Sequence, residues 1–326
     1  MKKWFCVALL FTIACGVTTE QKAARILHQS LDDASPEIRI LAARGLALTG
    51  DTTGAVVLRN LVQVDDVDAC AATLTALRDV PGITCLPVYA QYTEHDSPLV
   101  RTAAYQLIAE IDDDACRAIL VHGTHDDVAK VRRICYQGLE KYGATQTVST
   151  GLRDIDPLTR ITAAQVLGVL GAEGMADFIR NELSTESTDI MQHGLIALAT
   201  IGDQSALPMI QELEGSGTWD VRLAALEALL IMGEPDDMHV LKQAIESDDP
   251  FVRARAAHLM SEYLLPDKVH LLEQAARDKY INVSLAALEA LGRYRMKKHE
   301  KLFAELMDAG NAKVRIAAAT AYMQVR

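Results

Sequence analysis

Two pairs of histidines are spaced so that they could act together: His239 and His270 lie 31 residues apart, and His122 and His125 three apart. A transition-metal site needs more than two imidazoles, and neither pair has a clear third ligand. Gly123 and the Asp126–Asp127 pair further mark 122–125 as a frayed helix end. No metal is expected, and both pairs read as solvent-facing helix residues. The chain offers no Ser-His-Asp constellation and no glycine-rich phosphate loop, so no catalytic residues are assigned and no enzyme is expected. Aromatics are only 5% of the 326 residues, too few for a pocket of stacked rings. No cofactor is expected. The formal charge of −12 disfavours nucleic acid, because an acidic chain repels phosphate backbones.

Cys70, Cys85, Cys116 and Cys135 are the thiols beyond the N-terminal segment. Cys85 and Cys116 share one phase 31 residues apart, which places them on neighbouring helices about 8–10 Å apart. A disulfide needs Cα atoms within about 7 Å, so four buried free thiols are expected. Two surface features could recognise a partner. Arg293, Arg295, Lys297, Lys298 and Lys301 cluster in an otherwise acidic chain; the cluster is either a solvated turn or a contact for anionic lipid or an acidic partner. Trp219 either packs over the preceding turn or stands exposed as a binding hot spot.

The elements that position these residues follow from one arginine. In DDPFVRARAAHLM, Arg253 lies three residues after Pro250, in a first helical turn where the amide dipoles disfavour a cation. The same motif recurs at Arg39, Arg101, Arg132, Arg160, Arg222 and Arg315, with Cys70, Met191 and Ser284 in the arginine slot of three degenerate copies. Every interval between these ten anchors is 31 except the 28 from Arg132 to Arg160. Four positions earlier stand N-capping types such as Ser35, Asp66, Ser97, Asp156 and Asp249. Proline often follows, at the first helical position where its missing N–H costs nothing. Three positions after the anchor, small residues (Ala42, Ala104, Cys135, Ala163, Gly194, Ala225) form a stripe where helices can approach closely. A second helical segment follows each first one after a short turn.

These columns predict an all-α, right-handed α-solenoid of about ten 31-residue helix–turn–helix units. The recurrent arginines read as a structural ladder, each guanidinium bridging carboxylates and turn carbonyls of adjacent repeats. The ladder is expected to be irregular at Cys70, Met191 and Ser284. In the 28-residue unit, the threonines and Gly151 make 144–152 a weak helix: either a shortened second helix or a hinge or binding notch.

The repeat resembles the HEAT repeat in its short, phycobilisome-lyase-like form, over roughly residues 20–326. The resemblance implies an armadillo-like scaffold for protein–protein interaction, though this repeat serves many unrelated roles. Two HEAT-built enzyme families do not fit. Deoxyhypusine hydroxylases carry repeated His-Glu pairs around two irons, and here only His299-Glu300 occurs. Phycobilin lyases are not exported, and nothing here singles out a bilin pocket.

Export is the expectation from MKKWFCVALLFTIACG. Lys2 and Lys3 precede an eleven-residue apolar run, too short for the about 20 residues of a membrane span but suited to a signal peptide. Thr12-Ile13-Ala14-Cys15 resembles the lipobox of bacterial lipoproteins, departing from it at Thr12, where leucine is usual. The resemblance implies removal of residues 1–14 and acylation of Cys15. The formal charge then moves from −12 to −14, because Lys2 and Lys3 go with the signal. Soluble export after Gly16 and an uncleaved apolar N-terminus are the alternatives.

The organisation expected is therefore a signal peptide (1–14, lipobox 12–15), an anchor and capping helix (15–34), and a HEAT solenoid (35–326). The last helix would lack a second helix of its own, and either caps the array or offers a face for self-association. The expected function is an exported, lipid-anchored scaffold in the bacterial envelope, held by its N-terminal lipid and facing the periplasm or exterior. It would bind an unknown protein or peptide on a concave face formed by the second helices. The alternative is a cytoplasmic lyase-like or chaperone-like protein.

Overall fold

The computed structural model describes residues 18–80, 86–183, 187–215, 217–234, 239–265 and 269–326. The lipobox with Cys15, and Cys85, lie outside them. Helix α1 (Thr19–Ser30) opens the described chain, with Thr18 and Gln21 forming a capping box. The first helices of the ten repeats are α2 (Pro36–Leu48), α4 (Val67–Arg78), α6 (Pro98–Glu110), α8 (Ala129–Gly138), α10 (Pro157–Val169), α12 (Thr188–Thr200), α14 (Trp219–Met232), α16 (Pro250–Tyr263), α18 (Ile281–Tyr294) and α20 (Ala312–Gln324). Between them run α3 (Thr52–Leu61), α5 (Leu86–Ala90), α7 (Ala115–Gly123), α9 (Thr145–Thr150), α11 (Met175–Glu182), α13 (Leu207–Gly215), α15 (His239–Ile245), α17 (Val269–Ala275) and α19 (Glu300–Leu306). The fold is an all-α solenoid.

Its local rules are those of the repeat. The side chains of Asp66, Asp156, Asp249 and Asn311 accept hydrogen bonds from first-turn amides. Ser35 and Ser97 hold the extended cap conformation without using their hydroxyls; Asp33 and His95 instead accept from their backbone N–H groups. The small-residue stripe lies against the preceding second helix. A Cβ on Gly194 would sit 2.2 Å from Leu183, and one on Gly123 would sit 2.4 Å from Cys135 Sγ. The 28-residue unit is a shortened second helix: α9 has six residues and runs into a 3-10 turn over Gly151–Arg153.

The ends of the solenoid meet. Neighbouring first helices pack side by side in chain order, and α20 then packs against both α1 and α2. Ala23 and Leu27 of α1 are fully buried in one cluster with Ala318 and Ala319 of α20. Lys22 pairs with Asp308 at 2.6 Å, Lys313 with Glu37, and Arg44 with Glu289 at 2.7 Å. Gly45 lies so close to α20 that a Cβ there would stand 2.2 Å from Thr320 Oγ1.

Helix α1 is thus not a free cap but the missing second helix of the last unit. The column twelve residues before each anchor makes this plain: Leu27, Leu58, Tyr89, Leu120, Val148, Ile179, Ile210, Leu241, Leu272 and Phe303 are all fully buried. Leu27 holds in α1 the place that the others hold in α3 to α19. The two fates expected for α20, a cap or a free face for self-association, are both replaced by this pairing. Its apolar side is already covered by the N-terminal helix.

Candidate functional site: the lumen of the ring

Each first helix is buried on three sides, by its two neighbours and by second helices. On α4 a narrow stripe of Asp68, Ala72 and Thr75 stays exposed, and on α16 a stripe of Phe251, His258 and Glu262, with Arg255 half-buried between them. Side chains that skip one helix meet across this stripe. Arg44 of α2 reaches Glu289 of α18 past α20, and Arg255 of α16 donates to Gln192 of α12 past α14 at 3.0 Å. Such contacts are geometrically open only on the concave side. The concave surface is therefore formed by the first helices, which corrects the expectation that the second helices form it. Ten helices spaced about 9 Å apart place their axes about 15 Å from the centre. Helices about 10 Å thick then leave a lumen roughly 20 Å across.

The position five residues after each anchor lies at mid-height of this wall. Around the ring it reads Arg44, Thr75, Gln106, Gln137, Gln165, Ile196, Glu227, His258, Glu289 and Thr320. One arc, from α14 through α18 to α2 and α4, is charged. Arg44 donates from Nε to Asp79 Oδ2 at 2.8 Å and from Nη2 to Glu289. Burial would lower Arg44, but the Glu289 and Asp79 carboxylates outweigh it and hold the guanidinium above its ordinary range. Burial opposes ionisation of Glu289, yet Arg44, with Arg293 and His258 near, holds its carboxyl below the usual range.

Beside this pair lies a cavity of about 270 Å³ with an apolar floor of Leu41, Leu48, Leu285 and Ile316. Farther round, Tyr263 Oη donates to Glu227 Oε1 at 3.4 Å, and Arg255 pairs with Asp220 at the same distance. Burial, and then the Glu262 carboxylate, push the Glu227 carboxyl up. The opposite arc, α6 to α10, carries the three glutamines and no ion pair at mid-height.

The recurrent arginines lie away from the lumen, at the turns between repeats. Arg101 donates through Nη1 to the carbonyls of His95 and Asp96 and forks onto Asp126 at 2.8 and 3.1 Å. Arg132 does the same with the carbonyls of Asp126 and Asp127 and the carboxylate of Asp154. Arg160 joins the carbonyls of Asp154 and Ile155 to Glu182. Arg253 joins those of Ser247 and Asp248 to Asp278. Arg101, Arg132 and Arg253 each tie their own turn to the turn before the next first helix, while Arg160 ties its turn to the second helix of its own unit, α11.

The other three arginines differ. Arg222 donates to Glu214 O and Gln243 Oε1 and lies 4.4 Å over the ring of Trp219, which is half-buried. Arg315 reaches only the carbonyls of Ala309 and Gly310. Arg39 has a buried Nε without a hydrogen-bond partner; no acid stands at Val64, the place corresponding to Asp126 and Asp278. In the degenerate copies, Cys70 Sγ and Ser284 Oγ donate to carbonyls eight residues back, Val62 and Ala276.

The remaining candidates separate. Cys70, Cys116 and Cys135 are free and buried, and burial pushes all three thiols up, so none is a ready nucleophile at neutral pH. His122 pairs with Glu94 at 3.1 Å, while His125 Nδ1 faces Thr124 Oγ1 at 3.2 Å. His299 pairs not with Glu300 but with Glu273, at 3.0 Å. No group of three metal-ligating side chains occurs among the described residues. The basic cluster is not one patch: Arg293 lines the lumen cavity, Lys298 stands 3.9 Å from Glu273, and Arg295 and Lys297 are exposed at the turn. No sequence column marks the lumen, because the residue five positions after each anchor changes type around the ring, from Arg44 through Gln106 and Ile196 to Glu289.

Residues 176–261 match the family model described as HEAT repeats. No curated protein matches the chain. Among solved structures, the chain is similar to the complex of CpcE and CpcF of phycocyanin lyase from Nostoc sp. PCC7120, at 18% identity over 72% of this chain and 93% of that one, with a TM-score of 0.45. Human deoxyhypusine hydroxylase in complex with glycerol is similar at 15% identity over 74% and 95%, with a TM-score of 0.36. Kap121p is similar at 13% identity over 94% and 45%, with a TM-score of 0.38.

Proposed function

We propose that this HEAT-type protein is an exported, lipid-anchored scaffold that binds a protein or peptide partner inside its ring. The observation that carries the reading is the lumen wall: ten first helices turn one exposed stripe each, mostly polar but including Ile196 and Phe251, toward a shared opening wide enough for a helix about 10–12 Å thick or an extended chain. A scaffold with no partner has no need of unpaired amides and a charged, partly desolvated arc on its inner face. Anchoring through Cys15 rests on Lys2, Lys3, the apolar run and the Thr12–Cys15 segment. Two acyl chains or more would hold the ring at a bacterial envelope membrane, since each buried CH₂ contributes about 0.8 kcal/mol.

Two experiments test it. The intact mass of the natively expressed protein, with membrane fractionation, should give a chain starting at an acylated Cys15 in the membrane fraction; a soluble chain retaining Met1 sinks the anchor. A photo-crosslinking residue at Thr75 or His193, on the lumen stripe, should give one discrete adduct in cells, and the same residue at Val56 on the outer layer should give none. Equal labelling from both positions sinks the lumen as the partner site.

A further inference from the structure

We propose that the neutral arc of the lumen holds an extended polypeptide segment, with the side-chain amides of Gln106, Gln137 and Gln165 bonded to its peptide groups. The proposal rests on the lumen being the partner site and says which partner conformation it takes. The three glutamines occupy one position on three consecutive first helices, α6, α8 and α10, and all three are half-buried or exposed on the lumen stripe. Among the described residues none of the three makes a hydrogen bond, to its own backbone or to its neighbours, although Gln192, one helix farther round, accepts one from Arg255. Three aligned and unused amides are a different surface from the charged arc, where every mid-height carboxylate and guanidinium has a partner.

The chemistry selects the occupant. A primary amide offers an acceptor and two donors, and a peptide group offers one donor and one acceptor. The match is two-sided and does not depend on side-chain identity. A charged ligand would find no counter-charge at this height of the arc, and a helix would arrive with its peptide groups already bonded to one another. Only extended backbone presents them free. The spacing agrees: adjacent helices about 9 Å apart at their axes converge inward, so the side-chain tips stand about 5–7 Å apart, and an extended chain repeats every two residues at about 6.7 Å. Beside the ladder, a cavity of about 310 Å³ between α4 and α6 is lined by Asp68, Ala72, Thr75, Leu99, Gln106 and Lys130. Leu99 at its edge is 51% exposed. That cavity would receive one side chain of the segment and set its register.

The test selects 12-residue peptides from an unbiased displayed library on the intact protein and measures the tightest, fluorescently labelled, by anisotropy. The triple variant Gln106→Ala, Gln137→Ala, Gln165→Ala should weaken binding by at least about 30-fold, at about 3- to 10-fold per bond, with Tm and far-UV circular dichroism unchanged. N-methylation of alternate backbone amides of the same peptide should weaken it comparably. The ladder is overturned if the triple variant binds as wild type, if N-methylation has no effect, or if the bound peptide is helical. Should Glu289→Gln abolish binding while the triple variant does not, the lumen stays the partner site and the ladder falls. If no selected peptide responds to any lumen substitution, both fall.

Discussion

Leu27→Asp should open the ring while leaving its repeats folded. Leu27 is fully buried between α1 and α20, in the core cluster that also holds Ala23, Ala318 and Ala319. Truncating a buried leucine costs about 3–5 kcal/mol. An uncompensated carboxylate in the same place adds several kcal/mol more, and no basic side chain lies inside the cluster to pair with it. Against this stand the ion pairs that cross the junction: Lys22–Asp308, Lys313–Glu37 and Arg44–Glu289. At about 0.2–1 kcal/mol each, these partly exposed pairs cannot hold it shut.

The loss should stay local. In a solenoid each unit contacts only its neighbours, so nine hairpins remain packed and helicity falls by little more than the twelve residues of α1. The assay is pulsed dipolar spectroscopy between spin labels on Arg25 of α1 and Lys301 of α19, both exposed. Wild type should give one short, narrow distance, and Leu27→Asp a longer and broader one, with a larger radius of gyration in solution scattering. A second variant, Gly45→Val, wedges the junction without adding charge, because its Cβ would meet Thr320 Oγ1. If both variants fold and keep the wild-type distance, α1 does not close the ring and the reasoning from the buried column is wrong.

Three further outcomes follow from the same geometry. Arg253→Ala should destabilise by about 1–2 kcal/mol more than Arg315→Ala in urea unfolding, because Arg253 forks onto Asp278 and Arg315 reaches carbonyls alone; equal losses would show that the carboxylate contributes nothing. Glu227→Gln should raise Tm by about 2 °C at pH 7 and by nothing at pH 4. The sign comes from the raised folded pKa: the carboxyl favours the fold while protonated, and that contribution is lost as pH rises through the folded value. His299 runs the other way: burial lowers its pKa from 6.5, so the unfolded chain takes the proton first and stability drops as pH falls below about 6.5. His299→Gln should flatten that acid limb of the urea midpoint; an unchanged limb would assign it to other groups.

The repeat register was legible because it is written in local chemistry. A cap, a proline and an arginine at fixed offsets make a turn that can be recognised without knowing what packs on it. The arginine's role followed from a local misfit, a cation in a first turn, and its partners could be named as turn carbonyls and acids. What could not be read from one copy is the unit that supplies the acid. Asp154 stands 22 residues after Arg132, and Asp126 stands 25 after Arg101. The three-residue deletion falls in the second helix, so the turn keeps its register. Arg39 meets Val64 where Arg101 meets Asp126, and its orphaned Nε records the missing fork.

The ring itself was hidden for another reason. A helical array closes only when small rotations between units, about 36° each for ten, add up to a full turn with little rise. No single interface states that sum. The sequence nevertheless held one non-local sign: α1 carries Leu27 twelve residues before Arg39, the spacing at which every other second helix carries its buried anchor. An array whose first described element is a second helix and whose last is a first helix has complementary faces at those two helices.

Those complementary faces bear on the lumen as well as on the fold. An open solenoid of ten units can flex at every joint, and small changes at each add up across the array. Pairing α1 with α20 removes that freedom, because a change at one joint must be offset at the others. The helices α6, α8 and α10 then hold their separation before any partner arrives, so a chain laid across Gln106, Gln137 and Gln165 need not order the wall that receives it. The entropy of ordering is met during folding instead of during binding, which is the condition under which weak, sequence-independent backbone bonds suffice to retain a partner. It follows that opening the ring at Leu27 should loosen peptide binding at a site on the far side of the molecule, with no lumen residue altered.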